Sequence, residues 1–290
     1  MLAAALLLLT ACQTPPAPAD APKPPAKEAA PATPAATPAA TPAAPRAPFA
    51  TDDALLDGVE AVASTLADFR ADVALITTDD VTGDTERREG QVLFVQEPGK
   101  PTTRRFAVLF TTFIDGTGRA DEKPVRYLYA DGWLTEADFA RRHLVRRQLA
   151  YPGEPFDPLK PGEGPVPLPI GQRREDVVRR FETALATQPA PAAIAKLGRV
   201  QGLRLKPRPG MADRDLLEAV VWYDLDSLAP VGVEAKKKNG TTVVQLRKAV
   251  VNGGLNEAQR ALFALAAGET AGWETDERPL PPRAPAGATP

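Results

Sequence analysis

The sequence predicts an α+β fold in which one curved antiparallel sheet wraps around about three helices. Runs of alternating apolar and polar residues, typical of strands, fall into two groups, with helical patterns before, between and after them. Short turns join the strands within each group, and strands do not alternate with helices, so antiparallel pairing is expected. A long sheet with one apolar face and few helices should curl around those helices, which then cover its concave face.

Three segments show the apolar spacing of amphipathic helices. The first covers residues 54–67 and begins with Asp52 or Asp53 as its N-cap. The second runs over residues 173–186. The third runs over residues 256–266, where an asparagine can cap the first turn.

The strongest local strand signal is Asp131-Gly132, a dipeptide that favours a two-residue hairpin turn. A loop rich in proline and glycine, residues 152–171, separates the two groups of strands. The strands are expected at residues 70–75, 90–96, 105–113, 125–130, 133–136, 143–149, 202–206, 219–225, 231–236 and 241–250.

Composition excludes several classes of protein and of site. With 43% hydrophobic and 25% charged residues, the chain is typical of a soluble domain. A net charge of -2 gives no reason to expect a nucleic acid partner. One cysteine and one histidine exclude an intrachain disulfide and a multi-histidine metal site. That histidine, His143, has no serine or cysteine partner nearby in sequence, so neither an enzyme nor a cofactor is expected.

Proline divides the chain into regions. Twelve of the 32 prolines fall within residues 13–48, and five more fall within the last twelve residues. Such Pro/Ala-rich segments cannot build a core. The chain is therefore expected to consist of a signal peptide at residues 1–12, a disordered linker at 13–50, one folded domain at 51–270 and a disordered tail at 271–290.

The N-terminus carries a membrane-targeting signal. Residues 2–9 are apolar, too short to span a bilayer and typical of the core of a signal peptide. They end in Leu9-Thr10-Ala11-Cys12, which resembles the lipobox of bacterial lipoproteins. The resemblance implies cleavage before Cys12 and lipid attachment to its sulfur, so that the chain is anchored in the cell envelope and faces the periplasm. Gln13 instead of aspartate favours the outer membrane over the inner one. The alternative is a plain secretory signal.

Several short, recognisable segments follow one another along residues 54–265. They are Phe69-Arg70-Ala71-Asp72-Val73, Glu89-Gly90-Gln91 with Leu93-Phe94-Val95 ending at Pro98, Arg105-Phe106, Tyr129-Ala130-Asp131-Gly132 before Trp133-Leu134, the loop from Gly164 to Gly171, and Val221-Trp222-Tyr223-Asp224. Together they resemble the outer-membrane lipoprotein carriers, the LolA/LolB-like superfamily. One position departs from the carriers, which have a basic residue before the proline, because Glu97 precedes Pro98 here.

This resemblance implies an incomplete antiparallel β-barrel with helices in its mouth. It also implies an apolar cavity that binds the acyl chains of lipids or lipoproteins, with no cofactor and no catalysis. Six residues are the candidates to line the cavity: Leu75, Phe106, Val108, Phe110, Val221 and Tyr223. The alternative is that large side chains fill this space.

Two functions therefore remain open at this point. The first is a membrane-tethered monomer that binds acyl chains in lipid or lipoprotein trafficking. The second is an envelope interaction or sensor module that uses the same fold without a lipid cavity. A continuous apolar cavity favours the first, and a packed barrel with an exposed patch favours the second.

Overall fold

The computed structural model describes residues 46–98, 100–154, 168–210 and 215–282. The signal peptide, Cys12, most of the linker and the Gly164–Pro167 part of the loop lie outside these residues. No helix in the described part of the chain is both long and apolar enough to cross a membrane.

Within this part of the chain, twelve strands form one open, curved sheet. Their bounds are β1 Asp68–Asp79, β2 Thr85–Glu97, β3 Lys100–Ile114, β4 Ala120–Ala130, β5 Trp133–Asp138, β6 His143–Gln148, β7 Phe181–Leu185, β8 Val200–Pro207, β9 Leu216–Asp224, β10 Pro230–Lys237, β11 Gly240–Val251 and β12 Glu274–Arg278. The strands follow one another across the sheet in the order β12-β6-β5-β4-β3-β2-β1-β11-β10-β9-β8-β7. The two sequence groups are thus two meanders joined where β1 pairs with β11.

All strand pairs are antiparallel except that of β12 with β6, which is parallel. The antiparallel sheet predicted from short turns is therefore confirmed. The predicted turn at Asp131-Gly132 joins β4 to β5, and both residues have positive φ, 52° and 82°. This is the geometry that a two-residue turn needs to match the twist of the strands.

Four helices occur in the described residues, all of them short. They are α1 Asp52–Ser64, α2 Arg174–Arg180, α3 Ala192–Ala195 and α4 Glu257–Ala261. The N-cap of α1 is Thr51, whose Oγ1 accepts from the Ala54 amide at 3.1 Å, so the expected aspartate caps stand in the first turn instead. Asn256 caps α4 as predicted, in a reciprocal pair of hydrogen bonds with Gln259.

The predicted helix over residues 173–186 is wrong in its second half. From Phe181 onward the chain is strand β7, which pairs with β8 at the edge of the sheet. Phe181, Thr183 and Leu185 lie opposite Pro207, Leu205 and Leu203. The edge of β8 offers backbone partners and burial for Phe181, and these tertiary contacts override the local helical spacing.

The disordered tail predicted from residue 271 is also wrong in its first part, because β12 lies there. Glu274–Arg278 has no apolar alternation to mark it as a strand, and its side chains are mostly exposed. It forms because the edge of β6 pairs with its backbone.

The sheet has two faces that carry separate clusters. The inner face carries the main core, with α1, α2 and the loop residues Leu168 and Ile170 packed against strands from both meanders. The outer face carries two smaller clusters. One packs Leu255 and Phe263 over β2–β4, and the other packs α3 over β9 and β10 through Ile194.

Candidate functional site

All six candidate lining residues point to the inner face. Phe106, Val108, Phe110, Val221 and Tyr223 are buried in the main core, and Leu75 is half-buried at its border. Phe106 stacks on Tyr129 with ring centroids 5.7 Å apart, and Phe110 meets Tyr127 edge-on at 6.3 Å. Around these aromatic rings the space is filled by side chains, in the manner of a protein core.

Free space in the core lies instead under α1. A small cavity of about 20 Å³ lies between α1, the loop at residues 169–171 and the turn between β9 and β10. Tyr223 is the only one of the six candidates that lines it. The other lining residues are mainly apolar: Val59, Val62, Ala63, Leu66, Phe69, Pro169, Ile170, Gly171, Leu228, Ala229, Pro230 and Val251.

An open pocket of about 290 Å³ lies beside this cavity, at the C-terminal end of α1. Its lining combines small residues with charged ones: Glu60, Ala63, Ser64, Gln96, Lys100, Arg104, Gly171 and Arg173. Ala63 and Gly171 line both the open pocket and the small apolar cavity. Two of the smallest residues therefore stand where the solvent-facing pocket adjoins the apolar interior.

A hydrogen-bonded latch, formed by Arg104, Gln96 and Gly171, holds the loop against the sheet. One guanidinium nitrogen of Arg104 donates to the Gly171 carbonyl at 2.5 Å, and its Nε donates to the Gln96 Oε1 at 2.9 Å. The Gln96 amide nitrogen in turn donates to the Leu66 carbonyl at 2.9 Å, just beyond the end of α1. A buried guanidinium thus connects β3, β2, α1 and the loop, and charge-assisted hydrogen bonds of this kind are the strong ones.

The latch lies one strand away from the position where the carriers have their basic residue. Glu97 before Pro98 forms an ion pair with Lys100 at 2.5 Å, out in solvent. Sequence reasoning missed Arg104 and Gln96. The strand alternation could have indicated both residues. Gln96 lies two residues after Phe94 and Arg104 lies two residues before Phe106, so each shares the inward-facing side of its strand.

The helices α1 and α2 are joined to each other by ion pairs. Arg174, at the start of α2, contacts Asp53 and Asp57 on α1, and its backbone amide donates to Glu60 at 3.3 Å. The side chains of Asp53 and Asp57 are largely exposed. Such partly exposed ion pairs contribute little to stability.

Two tyrosines on the inner face have shifted acidity. Burial, followed by the nearby Glu136 carboxylate, raises the pKa of Tyr127 to about 12, against the opposing effect of Arg88. Burial alone raises the pKa of Tyr223. Both phenols are therefore neutral at any physiological pH, and their rings form part of the apolar inner face.

The C-terminal strap, residues 255–273, crosses the outer face. Phe263 lies under the Arg105 guanidinium, 5.9 Å from the ring centroid. Glu269 pairs with Arg126 at 2.9 Å, and Trp273 meets Phe139 edge-on at 5.0 Å. Open grooves of about 420 and 460 Å³ flank the strap.

His143 begins β6, where it is half-buried and faces Glu274 of β12 across the parallel pair. Among the residues that the structure describes, no three histidine, cysteine, aspartate or glutamate side chains are grouped so that they could hold a metal ion.

Comparison with known proteins gives distant structural neighbours. No family model and no curated protein matches the chain. An uncharacterised conserved protein from Thermus thermophilus aligns over 78% of this chain and 98% of its own, at 13% identity and a TM-score of 0.43.

Two further structures are described in the terms of the superfamily that the sequence resembles. A putative outer membrane lipoprotein-sorting protein domain from Vibrio parahaemolyticus aligns over 73% of this chain and 97% of its own, at 11% identity and a TM-score of 0.35. A LolA superfamily protein from Nitrosomonas europaea aligns over 76% and 100%, at 12% identity and a TM-score of 0.30. All these TM-scores lie below 0.5.

Proposed function

We propose that this chain is a membrane-tethered lipoprotein of the cell envelope whose domain binds an acyl chain of a lipid or lipoprotein beneath α1. The observation that carries the proposal is the position of Ala63 and Gly171, which line both the open pocket and the apolar cavity. Ala63 and Gly171 themselves contribute little side-chain volume to the boundary between the pocket and the cavity.

In this proposal, the structure is the closed form of the domain. Leu168 and Ile170 of the loop are fully buried in the main core, and the Arg104 latch holds the loop there. An acyl chain takes the place of these two side chains when the loop moves outward. Burial of each methylene group stabilises the complex by ~0.8 kcal/mol, so partial insertion of a chain gives micromolar binding.

The pocket rim suits the polar end of such a ligand. Lys100, Arg104 and Arg173 line it together with a single carboxylate, that of Glu60. The charged end of the ligand then stays in water at the rim while the chain lies inside, an arrangement that avoids the cost of a buried unpaired charge.

The membrane tether is proposed to be a lipid on Cys12, in the outer membrane, with the folded domain in the periplasm as a monomer. The lipobox supports this, as Cys12 is the only cysteine and stands directly after Leu9-Thr10-Ala11. In a native host, Cys12→Ser should move the protein from the membrane to the soluble fraction and lower the mass of the mature chain. Unchanged fractionation and mass contradict the tether.

The binding proposal is tested with a fluorescent fatty acid and a pair of neighbouring variants. Arg104→Met removes the hydrogen bonds of the latch and puts a flexible apolar side chain in place of the guanidinium. Arg105→Met makes the same replacement on the outer face. We expect the wild type to bind the probe in the micromolar range. Arg104→Met should raise the association rate several-fold because the loop is released, and Arg105→Met should leave it unchanged. No binding by the wild type overturns the proposal.

The second candidate is an interaction module, which is favoured by the filled core around Phe106, Val108 and Phe110. If the wild type binds no probe of any chain length, this alternative takes the place of the acyl site. The open grooves beside the strap are then the surfaces to mutate first.

A further inference from the structure

Two apolar side chains, one from the expected linker and one from the β9–β10 turn, meet beside α1 at Gly58. Leu228 of this turn lines the cavity and is buried. Phe49 packs against the same core. We infer that Phe49 and Leu228 form the closed end of the acyl site and thereby set the longest chain that it accepts. This inference rests on the proposed function.

Phe49 is held in place through its backbone. Its amide donates to the Gln201 Oε1 at 2.8 Å, and its carbonyl accepts from the Gln201 Nε2 at 2.8 Å. Three residues earlier, the Arg46 amide donates to Asp226 at 3.2 Å and the Arg46 carbonyl accepts from Arg199 at 2.8 Å. The segment is therefore fixed at both ends by contacts that do not involve the phenyl ring, which is left to pack on the core.

A glycine in the middle of α1 makes room for this arrangement. A Cβ at Gly58 would stand 2.9 Å from the Leu228 Cδ1 and 3.0 Å from the Phe49 Cζ, so both side chains converge on one point of the helix. Glycine inside a helix costs about 1 kcal/mol relative to alanine. Its presence here is explained by the close approach of Phe49 and Leu228.

The backbone of the turn is also specialised. Leu228 has a φ of +56°, a conformation that leucine rarely adopts. Asp224 Oδ1 holds the turn by accepting from the Ser227 amide at 2.8 Å and the Ser227 hydroxyl at 2.7 Å. The turn thus directs a large apolar side chain into the cavity, where a glycine would leave the end open.

A series of fatty acids of increasing length tests the inference. Each further buried methylene strengthens binding about fourfold, until the chain reaches the closed end and the affinity stops rising. Phe49→Ala keeps the backbone bonds to Gln201 and opens this end. We expect the affinity of the variant to stop rising about two methylene groups later, so that the longest chains bind roughly fifteenfold tighter than to the wild type. Leu228→Ala should shift the plateau in the same direction.

Phe263→Ala is the matched control, because it removes the same side chain from the outer cluster and should leave the plateau unchanged. Phe49→Leu, which keeps most of the contact, should give an intermediate plateau and guards against a folding defect of the alanine variant. If the wild type shows a plateau and none of the three inner variants moves it, the inference is wrong while the acyl site stands. If the wild type binds no chain at all, the proposed function fails, and the inference fails with it.

Discussion

Gly132 lies in the two-residue turn between β4 and β5. Its φ is +82°, and its carbonyl accepts from the amides of Leu149 and Ala150 at 2.7 and 3.2 Å. A Cβ at this position would approach the Ala150 carbonyl oxygen to 2.5 Å. The residue therefore combines a backbone requirement with a lack of space.

Gly132→Val should destabilise the domain by roughly 2 kcal/mol, because a β-branched residue is strained at positive φ and meets the Ala150 carbonyl. Denaturant titration measures the loss. Gly118→Val is the control, because Gly118 has a φ of +84° and a Cβ built there meets no atom within 4 Å. This variant therefore measures the backbone strain without the clash. Equal losses at the two glycines would contradict the contribution of Ala150.

The two inner-face tyrosines make stability depend on alkaline pH. Their pKa values are raised in the folded state, to about 12 for Tyr127, so unfolding releases phenols that ionise more readily. The stability that this shift provides is fully present below pH 10 and is lost as the pH rises toward the folded pKa. We expect the free energy of unfolding to fall between pH 10 and 12.

Tyr127→Phe removes one ionising group and should flatten this decline, as followed by denaturant titrations across the pH range. Tyr151→Phe serves as the control, because this tyrosine lies in the loop after β6 and its hydroxyl donates to the exposed Pro281 carbonyl at 2.5 Å. If the free energy of unfolding of Tyr127→Phe falls just as steeply with pH, the burial of the Tyr127 phenol does not contribute to the decline.

At the scale of elements, the strap and β12 differ in how they are held. The strap buries Leu255 and Phe263 in the outer cluster. β12 is attached through backbone pairing with β6 and a half-exposed ion pair between Arg146 and Glu277 at 2.6 Å. Burial of large apolar side chains contributes more than an exposed ion pair does.

Phe263→Ala should therefore cost about 3 kcal/mol, at the lower end for a buried phenylalanine. A chain that ends at Trp273 and lacks β12 should lose less than this. Thermal unfolding of both proteins gives the comparison. If removal of β12 lowers the stability more than Phe263→Ala does, backbone pairing at the β6 edge stabilises this side of the sheet more than the outer cluster does.

Local sequence patterns and tertiary contacts each determine part of the secondary structure. The Asn256 cap, the ten sequence-derived strands and the helix α1 follow from local signals and are present. The second half of the 173–186 helix is absent, because Phe181 and Leu185 find partners on β8 that a local pattern does not contain.

At the scale of the whole molecule, the folded unit begins before the expected boundary at residue 51. Arg46 and Phe49 already make long-range hydrogen bonds, to Asp226 and Gln201 respectively. The last residues of the Pro/Ala-rich segment thus contact the folded domain at β8 and at the β9–β10 turn.

A chain that begins at Arg46 should keep the melting temperature of the full-length protein. A chain that begins at Thr51 lacks the half-buried Phe49 and should melt roughly 5 °C lower. Phe49→Ala in the full-length protein should reproduce most of this drop. Equal melting temperatures for the two shortened chains would show that residues 46–50 do not stabilise the domain.

By itself, the sequence determined the antiparallel sheet, its two meanders and the Gly132 turn. These features depend on short-range periods and on turn chemistry, which neighbouring residues reveal. Only the tertiary structure decided that β7 and β12 exist, that Arg104 holds the loop and that large side chains fill the space around Phe110. Strand pairing at an edge and the packing of a core join residues far apart in the chain, and no local pattern records which of them meet.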